Sequence, residues 1–378
     1  MKILYLSEDY SYSKVHHNLC SAVVSKGLSV ILFSIKRKDS ATDLTSTYIG
    51  ADYEKHIDLF SGNYRLYKYV FPYKTSYKYK KLKDSVNLNE IGLVHAATMF
   101  SDGAIALKLY KEYGIPYVVS VRGTDIELYT KYMFHLWPLG LEILKHASKV
   151  IFISPTSRDV LFSRTFYKKY KSRFWEKTIV MPNGIDSIWL ENICLTKQKM
   201  DISNPRILYV GLLDNNKNVL LLMEAVKRVS IKYPGITLSI IGGGGHQEEK
   251  ILAQCSDDGM FRYFGKIYDK DKLRLMIKEN HMFAMVSLSE TFGLVYVEAM
   301  TQGLPVLYSL GRGIDGFFTK KIGEGVNPRN VEDIAEGLEK IIDNYANYNI
   351  PYEKLVEFSW EKIADELVNV YKNFGKGI

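Results

Sequence analysis

Short apolar runs alternate with helical patterns twice along this 378-residue chain, and no other feature restricts its fold as much. In the first half the runs are residues 2–7, 28–35, 93–97, 116–121 and 149–154, with helical patterns at 14–26, 102–113 and 133–147. Runs this short and this continuously apolar read as strands buried on both faces. Helices between them imply parallel pairing with helices on both sides. The pattern breaks at "VMPNGIDSIW" (180–189), where Pro182 and Asn183-Gly184 carry turn chemistry. A poorly patterned stretch, 187–204, reads as a linker. The alternation restarts with strands at 206–211, 236–242, 282–289 and 304–309 and helices at 219–233, 331–345 and 360–374. The expectation is an α/β chain of two doubly wound domains, 1–186 and 205–357. Ligands would sit at the carboxyl ends of the strands, in a cleft that the domains share.

A chain of this length is too long for one ordinary core, which agrees with two domains. No run of about 18 apolar residues suggests a membrane span. "MKILYLSEDY" reads as a first strand and not as a signal peptide. Cys20, Cys194 and Cys255 are scattered and form no disulfide or metal pattern, which fits a reducing cytoplasm. The net charge of +8 is concentrated in the first half: residues 1–185 hold 27 Lys+Arg against 16 Asp+Glu. An anionic partner for that half is the simplest reading.

"SETFGLVYVEAMTQGLPV" (289–306) sets a chemical problem. Glu298 stands among Leu294, Val295, Val297, Ala299 and Met300, where a carboxylate needs a partner. The segment reads as a strand end, a turn holding Glu290 and Thr291, and a helix from about Phe292 to Gln302. Gly303 suits its C′ position and Pro305 stops it. Gly293 lets the backbone approach a ligand, and the helix N-terminus suits a phosphate. Glu298, two turns along, could accept both hydroxyls of a ribose.

These residues closely resemble the E-x7-E segment of the retaining glycosyltransferases of family 4, which have the GT-B fold of two Rossmann-like domains. "PNGID" (182–186), "YVGLLDNNKN" (209–218), "IIGGGG" (240–245), "FGKIYDKDKL" (264–273) and "VRGTDI" (121–126) match in the same order. The resemblance implies that the helix in 358–378 crosses back to the N-terminal domain. It implies a nucleotide-diphosphate sugar as donor, UDP before GDP, and a hydroxyl of a lipid-linked glycan as acceptor in bacterial capsule, exopolysaccharide or O-antigen synthesis. Glu298 would bind the ribose and Glu290 the transferred sugar. The amides of Phe292, Gly293 and Leu294 would meet the diphosphate, which Lys217 would neutralise. Thr291, Gly211 and Gly243 complete the implied donor set. Arg122 is a further catalytic candidate; Asp125, His95 and His16 are candidates on the acceptor side. Two departures stand out. The family usually has Arg where Gly211 is followed by Leu212, and a glycine pair where "SYSKVHHN" (11–18) follows the first strand. Arg122 could supply the first loss, and Lys14 or His16 the second.

Plainer readings stand beside these. Lys217 could be a surface lysine at a helix start, Arg122 a partner of Asp125, Asp125 a turn cap, and His95 a core histidine. "DKD" (269–271) has the D-x-D form of a metal-sugar site, but it precedes a helix and reads as a cap. No cluster of His, Asp and Glu has metal-ligand spacing, so a metal-independent hexosyltransferase without cofactor is expected. Lysines interleave with aromatic residues at 63–83 and 163–177, a composition suited to the anionic inner face of a cell membrane. A solvated face is the plainer alternative; nucleic acid is not expected as a partner. A nucleotide-sugar 2-epimerase of the same fold and a non-catalytic nucleotide-sugar-binding module are the rival functions.

Overall fold

The computed structural model describes residues 2–8, 10, 14–37, 53–60, 70–257 and 259–375. The chain divides into two units. Unit 1 is Met1–Ile153, Ser157–Gly184 and Trp360–Ile378; unit 2 is Ser154–Thr156 and Ile185–Ser359.

Unit 1 carries seven strands: β1 (Lys2–Leu6), β2 (Val30–Arg37), β3 (Tyr53–Phe60), β4 (Ile91–Ala96), β5 (Tyr117–Val121), β6 (Lys149–Phe152) and β7 (Thr178–Val180). Their order is β3-β2-β1-β4-β5-β6-β7, and each pairing is parallel. The chain winds outward from β1 to β3, then returns to the other side of β1 as β4. Unit 2 repeats the scheme with β8 (Arg206–Gly211), β9 (Thr237–Gly242), β10 (Phe261–Tyr263), β11 (Met282–Ala284), β12 (Val306–Ser309) and β13 (Gly323–Val326). Their order, β10-β9-β8-β11-β12-β13, is again all parallel. In each sheet the winding reverses between two adjacent central strands, β1/β4 and β8/β11. That reversal is where loops diverge and open a crevice at the carboxyl ends of the strands.

Central strands are apolar throughout because helices cover both faces. β4 is buried at every position, and so is β5. β3, β7, β10 and β13 escape the sequence pattern. They lie at or next to sheet edges and are short or polar, as edge strands commonly are. The 282–289 run pairs only as far as Ala284, and the remainder is loop. Residues 187–204 are not a free linker. They fold onto unit 2, with Trp189 fully buried and Cys194 N donating to Thr301 O at 2.7 Å.

The helix Trp360–Phe374 belongs to unit 1 and packs beside Lys14–Ser25. Ile363, Ala364, Leu367 and Tyr371 enter a core with Ile3, Tyr5, Leu93 and Val118 on one face of the sheet. Tyr371 also hydrogen-bonds His95 Nδ1 at 2.6 Å. Leu367 is fully buried there. Leu367→Ala should lower stability by about 2–5 kcal/mol, read as a drop in the urea midpoint. An unchanged midpoint would mean that this helix adds nothing to the core of unit 1.

Candidate functional site: the crevice loops of unit 2

The loops leaving β8 and β11 lie side by side, and three asparagine bonds clasp them. Asn216 Oδ1 accepts Ser289 N at 2.9 Å, and its Nδ2 donates to Ser289 O at 2.9 Å. Asn218 Nδ2 donates to Val286 O at 3.2 Å and to Pro328 O. Asn218 has φ +60, the left-handed region that asparagine tolerates better than other non-glycine residues. Asp214 Oδ1 accepts Lys217 N at 2.9 Å and tightens the turn. The "DNNKN" run is thus a scaffold, and the asparagines in it went unassigned in the sequence because their partners lie 68 to 110 residues away.

The clasp presents Lys217 to Glu290. Lys217 Nζ lies 2.7 Å from Glu290 Oε2, and both side chains are part-buried. This pair stands at the β8/β11 reversal. Glu290 also turns Oε1 toward the amide of Thr291 at 3.2 Å, while its carbonyl accepts Gly313 N at 3.0 Å.

The next three residues place a helix end. Gly293 has φ +83 and caps the helix Leu294–Thr301. A Cβ at Gly293 would lie 2.6 Å from the Tyr296 ring, whose hydroxyl bonds Met285 O, so only glycine fits. Phe292 is buried against Phe317 and Phe358. The amides of Phe292, Gly293 and Leu294 have no acceptor among the described residues. They are the free donors of a helix N-terminus, where the helix dipole favours an anion.

Glu298 resolves the sequence puzzle in an unexpected way. Its carboxylate has no hydrogen-bond or ion-pair partner among the described residues. Its nearest charged neighbours, Asp186 and Lys270, pair with each other. Burial raises its pKa to about 7, and the Asp186 charge adds to the rise while Lys270 opposes it.

A third loop follows β9. Gly242, Gly243, Gly244 and Gly245 all have positive φ. Gly211 and Gly242 lie opposite each other in the β8/β9 pairing, and a Cβ on Gly242 would overlap the Gly211 carbonyl. The turn is pinned by Glu248, which accepts Gly244 N at 2.7 Å and the Tyr263 hydroxyl at 2.7 Å. Asp269 of "DKD" accepts Lys272 N at 3.0 Å and caps the helix Lys270–Lys278. No group of three or more His, Cys, Asp or Glu with metal-holding geometry occurs among the described residues.

The other candidates lie in unit 1. Asp125 is fully buried and accepts the amides of Met99, Phe100 and Arg122 at 2.9–3.1 Å. Desolvation raises its pKa to about 6 against these bonds. Arg122 donates from Nη1 to Asn183 Oδ1 at 2.8 Å and from Nε to Ala97 O at 3.2 Å. His95 is buried with both nitrogens engaged, by Tyr371 and Ser120, and burial lowers its pKa to about 3. His16 is buried with Nδ1 on the Tyr5 hydroxyl at 2.8 Å. All four have hydrogen-bond partners within unit 1.

The basic stretch 63–83 divides. Residues 63–69 lie outside the described residues. In the helix Phe71–Ser85, Lys78 is buried against Asp102 at 2.8 Å and Lys74 meets Glu8 at 2.5 Å. Those two lysines face inward because Asp102, the N-cap of the helix Gly103–Tyr113, is buried and Glu8, just past β1, is part-buried, and such carboxylates require cations.

Two family models match in tandem. The model described as Glycosyltransferase Family 4 covers residues 13–187, and that for Glycosyl transferases group 1 covers 196–357. An uncharacterized glycosyltransferase of Methanocaldococcus jannaschii is 28% identical over 174 residues, 44% of this chain and 44% of that protein. The chain spans about half the length of the first curated relatives it matches, 44% and 53%. Sucrose-phosphate synthase from Thermosynechococcus elongatus superposes with TM-score 0.71 at 19% identity, covering 99% of this chain and 98% of that one. An Anabaena protein in complex with UDP and glucose gives 0.66 at 16%, covering 99% and 100%. The chain belongs to the family 4 glycosyltransferases and has their GT-B fold of two Rossmann-like domains.

The raised pKa of Glu298 makes a stability prediction. Its value in the unfolded chain is 4.5 and in the folded chain about 7. The contribution is therefore present below pH 4.5 and lost as pH rises through 7, with a size of about 3 kcal/mol. Without nucleotide, Glu298→Gln should gain on wild type in urea midpoint between pH 5 and pH 8. Parallel pH profiles for the two proteins would show that the carboxylate is not held in this environment.

Proposed function

We propose that this protein is a retaining glycosyltransferase that moves a hexose from a nucleotide-diphosphate sugar to a hydroxyl of a glycan acceptor, without a metal ion. The observation that carries the proposal is Glu298: a half-buried carboxylate without a partner among the described residues, on a helix whose N-terminal amides have no acceptor among them. A nucleoside diphosphate supplies what each lacks. The ribose hydroxyls donate to Glu298, and the diphosphate accepts from the amides of Phe292, Gly293 and Leu294. UDP is the proposed nucleotide, supported by the Anabaena neighbour solved with UDP and glucose.

Two side chains of unit 2 would act on the transferring end of the donor. Lys217 holds a positive charge at the crevice and stabilises the diphosphate as it departs, where charge develops in the transition state. Glu290, held by Lys217, receives hydroxyls of the transferred sugar through its remaining lone pairs. The acceptor hydroxyl forms its bond to the anomeric carbon on the face from which the diphosphate leaves. The leaving oxygen takes the acceptor proton, so configuration is retained and no second carboxylate serves as nucleophile. A lipid-linked glycan of a bacterial surface polysaccharide is the proposed acceptor, by analogy with the family.

A second reading keeps the nucleotide and removes the chemistry. Leu212 is exposed where the family usually has a diphosphate-binding arginine, so Lys217 is left with less help. A binding module would hold UDP yet show no turnover with any sugar nucleotide.

Calorimetric titration with UDP and GDP tests the site. UDP affinity should rise about tenfold from pH 6 to pH 8 as Glu298 ionises, and Glu298→Gln should bind weakly with no such slope. Equal binding by the mutant would remove Glu298 from the nucleotide site. In a transfer assay, Lys217→Ala should lower kcat by roughly 10²–10³-fold. A kcat unchanged by that substitution would refute the assigned role of Lys217.

A further inference from the structure

One face of unit 1 exposes large apolar side chains among cations. Leu128, Tyr132 and Phe134, within seven residues, are 40%, 60% and 66% exposed. They continue into a ribbon of touching rings. Phe134 meets Trp137 at 6.0 Å, Trp137 meets Phe166 at 5.5 Å, Phe166 meets Tyr170 at 6.1 Å and Tyr170 meets Phe174 at 6.1 Å. Residues 163–177 add six cations, Arg164, Lys168, Lys169, Lys171, Arg173 and Lys177, against the single acid Glu176. Among these, Lys168, Lys169, Lys171 and Arg173 are exposed.

We propose that segments 128–137 and 163–177 form a docking face for an anionic lipid bilayer, with Leu128, Tyr132 and Phe134 entering the interface and the cations meeting the headgroups. Apolar and aromatic side chains rimmed by lysine match both halves of such a surface. Single-stranded nucleic acid is the other polyanion to weigh, and it needs free ring faces for base stacking. Here Tyr132, Phe166, Tyr170 and Trp175 each have a face covered by a cation. Lys169 Nζ lies over the rings of Phe166 at 5.5 Å and Tyr170 at 5.0 Å, and Trp175 faces Lys171 at 4.5 Å and the Arg158 guanidinium at 3.9 Å. Leu128 has no ring to offer. The proposal rests on unit 1 alone, so it stands or falls separately from the nucleotide site.

Co-sedimentation of the full chain with vesicles tests it, without nucleotide. Binding is expected to phosphatidylcholine vesicles containing phosphatidylglycerol, and to be weak with phosphatidylcholine alone. Replacing Lys168, Lys169 and Lys171 by Ala should weaken binding about a hundredfold. Tyr132→Ser with Phe134→Ser should weaken it while leaving its dependence on NaCl in place. The control, Ile231→Ser, removes an 86% exposed apolar side chain of unit 2 and should bind as wild type does. Circular dichroism checks that each variant is folded. Equal sedimentation with both vesicle types, full binding by the Tyr132/Phe134 variant, or displacement of the protein from vesicles by a single-stranded oligonucleotide would each overturn the proposal.

Discussion

The proposed donor site depends on the clasp between the loops that leave β8 and β11. Parallel pairing sets those strands side by side, and the reversal of winding sends their connections to opposite faces. Asn216 then binds both backbone groups of Ser289, and Asn218 binds Val286. Lys217 lies between the two asparagines in sequence, so its ammonium has one place to go, against Glu290. Neither residue would be aimed without the clasp, because both belong to loops with no regular hydrogen bonding of their own.

Around that pair the backbone supplies most of the recognition surface. Gly293, with its positive φ, starts the short helix, whose first amides have no acceptor among the described residues. The four consecutive glycines that begin with the last residue of β9 make a turn that other residues could not follow, and Glu248 keeps it in shape. Glu298 is the exception among the side chains. A carboxylate half-buried beside an Asp186–Lys270 pair that ignores it costs stability, and its raised pKa records that cost. Such a group is useful where a ligand repays the desolvation, which is the logic of the nucleotide proposal.

Unit 1 treats its charges differently. Asp102 and Glu8 draw Lys78 and Lys74 inward, Asp125 is surrounded by backbone amides, and His95 is fully bonded between Tyr371 and Ser120. Polar groups that stand out in the linear sequence have partners here, as buried polar groups generally do. Charge left over for a partner lies elsewhere, on residues 163–177 beside the exposed aromatic segment at 128–137.

The sequence by itself determined the two doubly wound units, because continuous apolar strands separated by helices admit few other arrangements. It also determined the last helix to the residue, 360–374, and the glycines at 293 and 303, whose conformations other residues reach only with strain. Edge strands were not legible, since β7, β10 and β13 are only three or four residues long and the sequence of β3 is largely polar. Only the tertiary structure decided which charges have partners. Glu290 and Lys217 are 73 residues apart and meet; Lys78 and Asp102 are 24 apart and bury each other; Glu298 meets no partner among the described residues. Periodicity follows from neighbours along the chain, whereas the environment of a charge follows from what folding brings beside it.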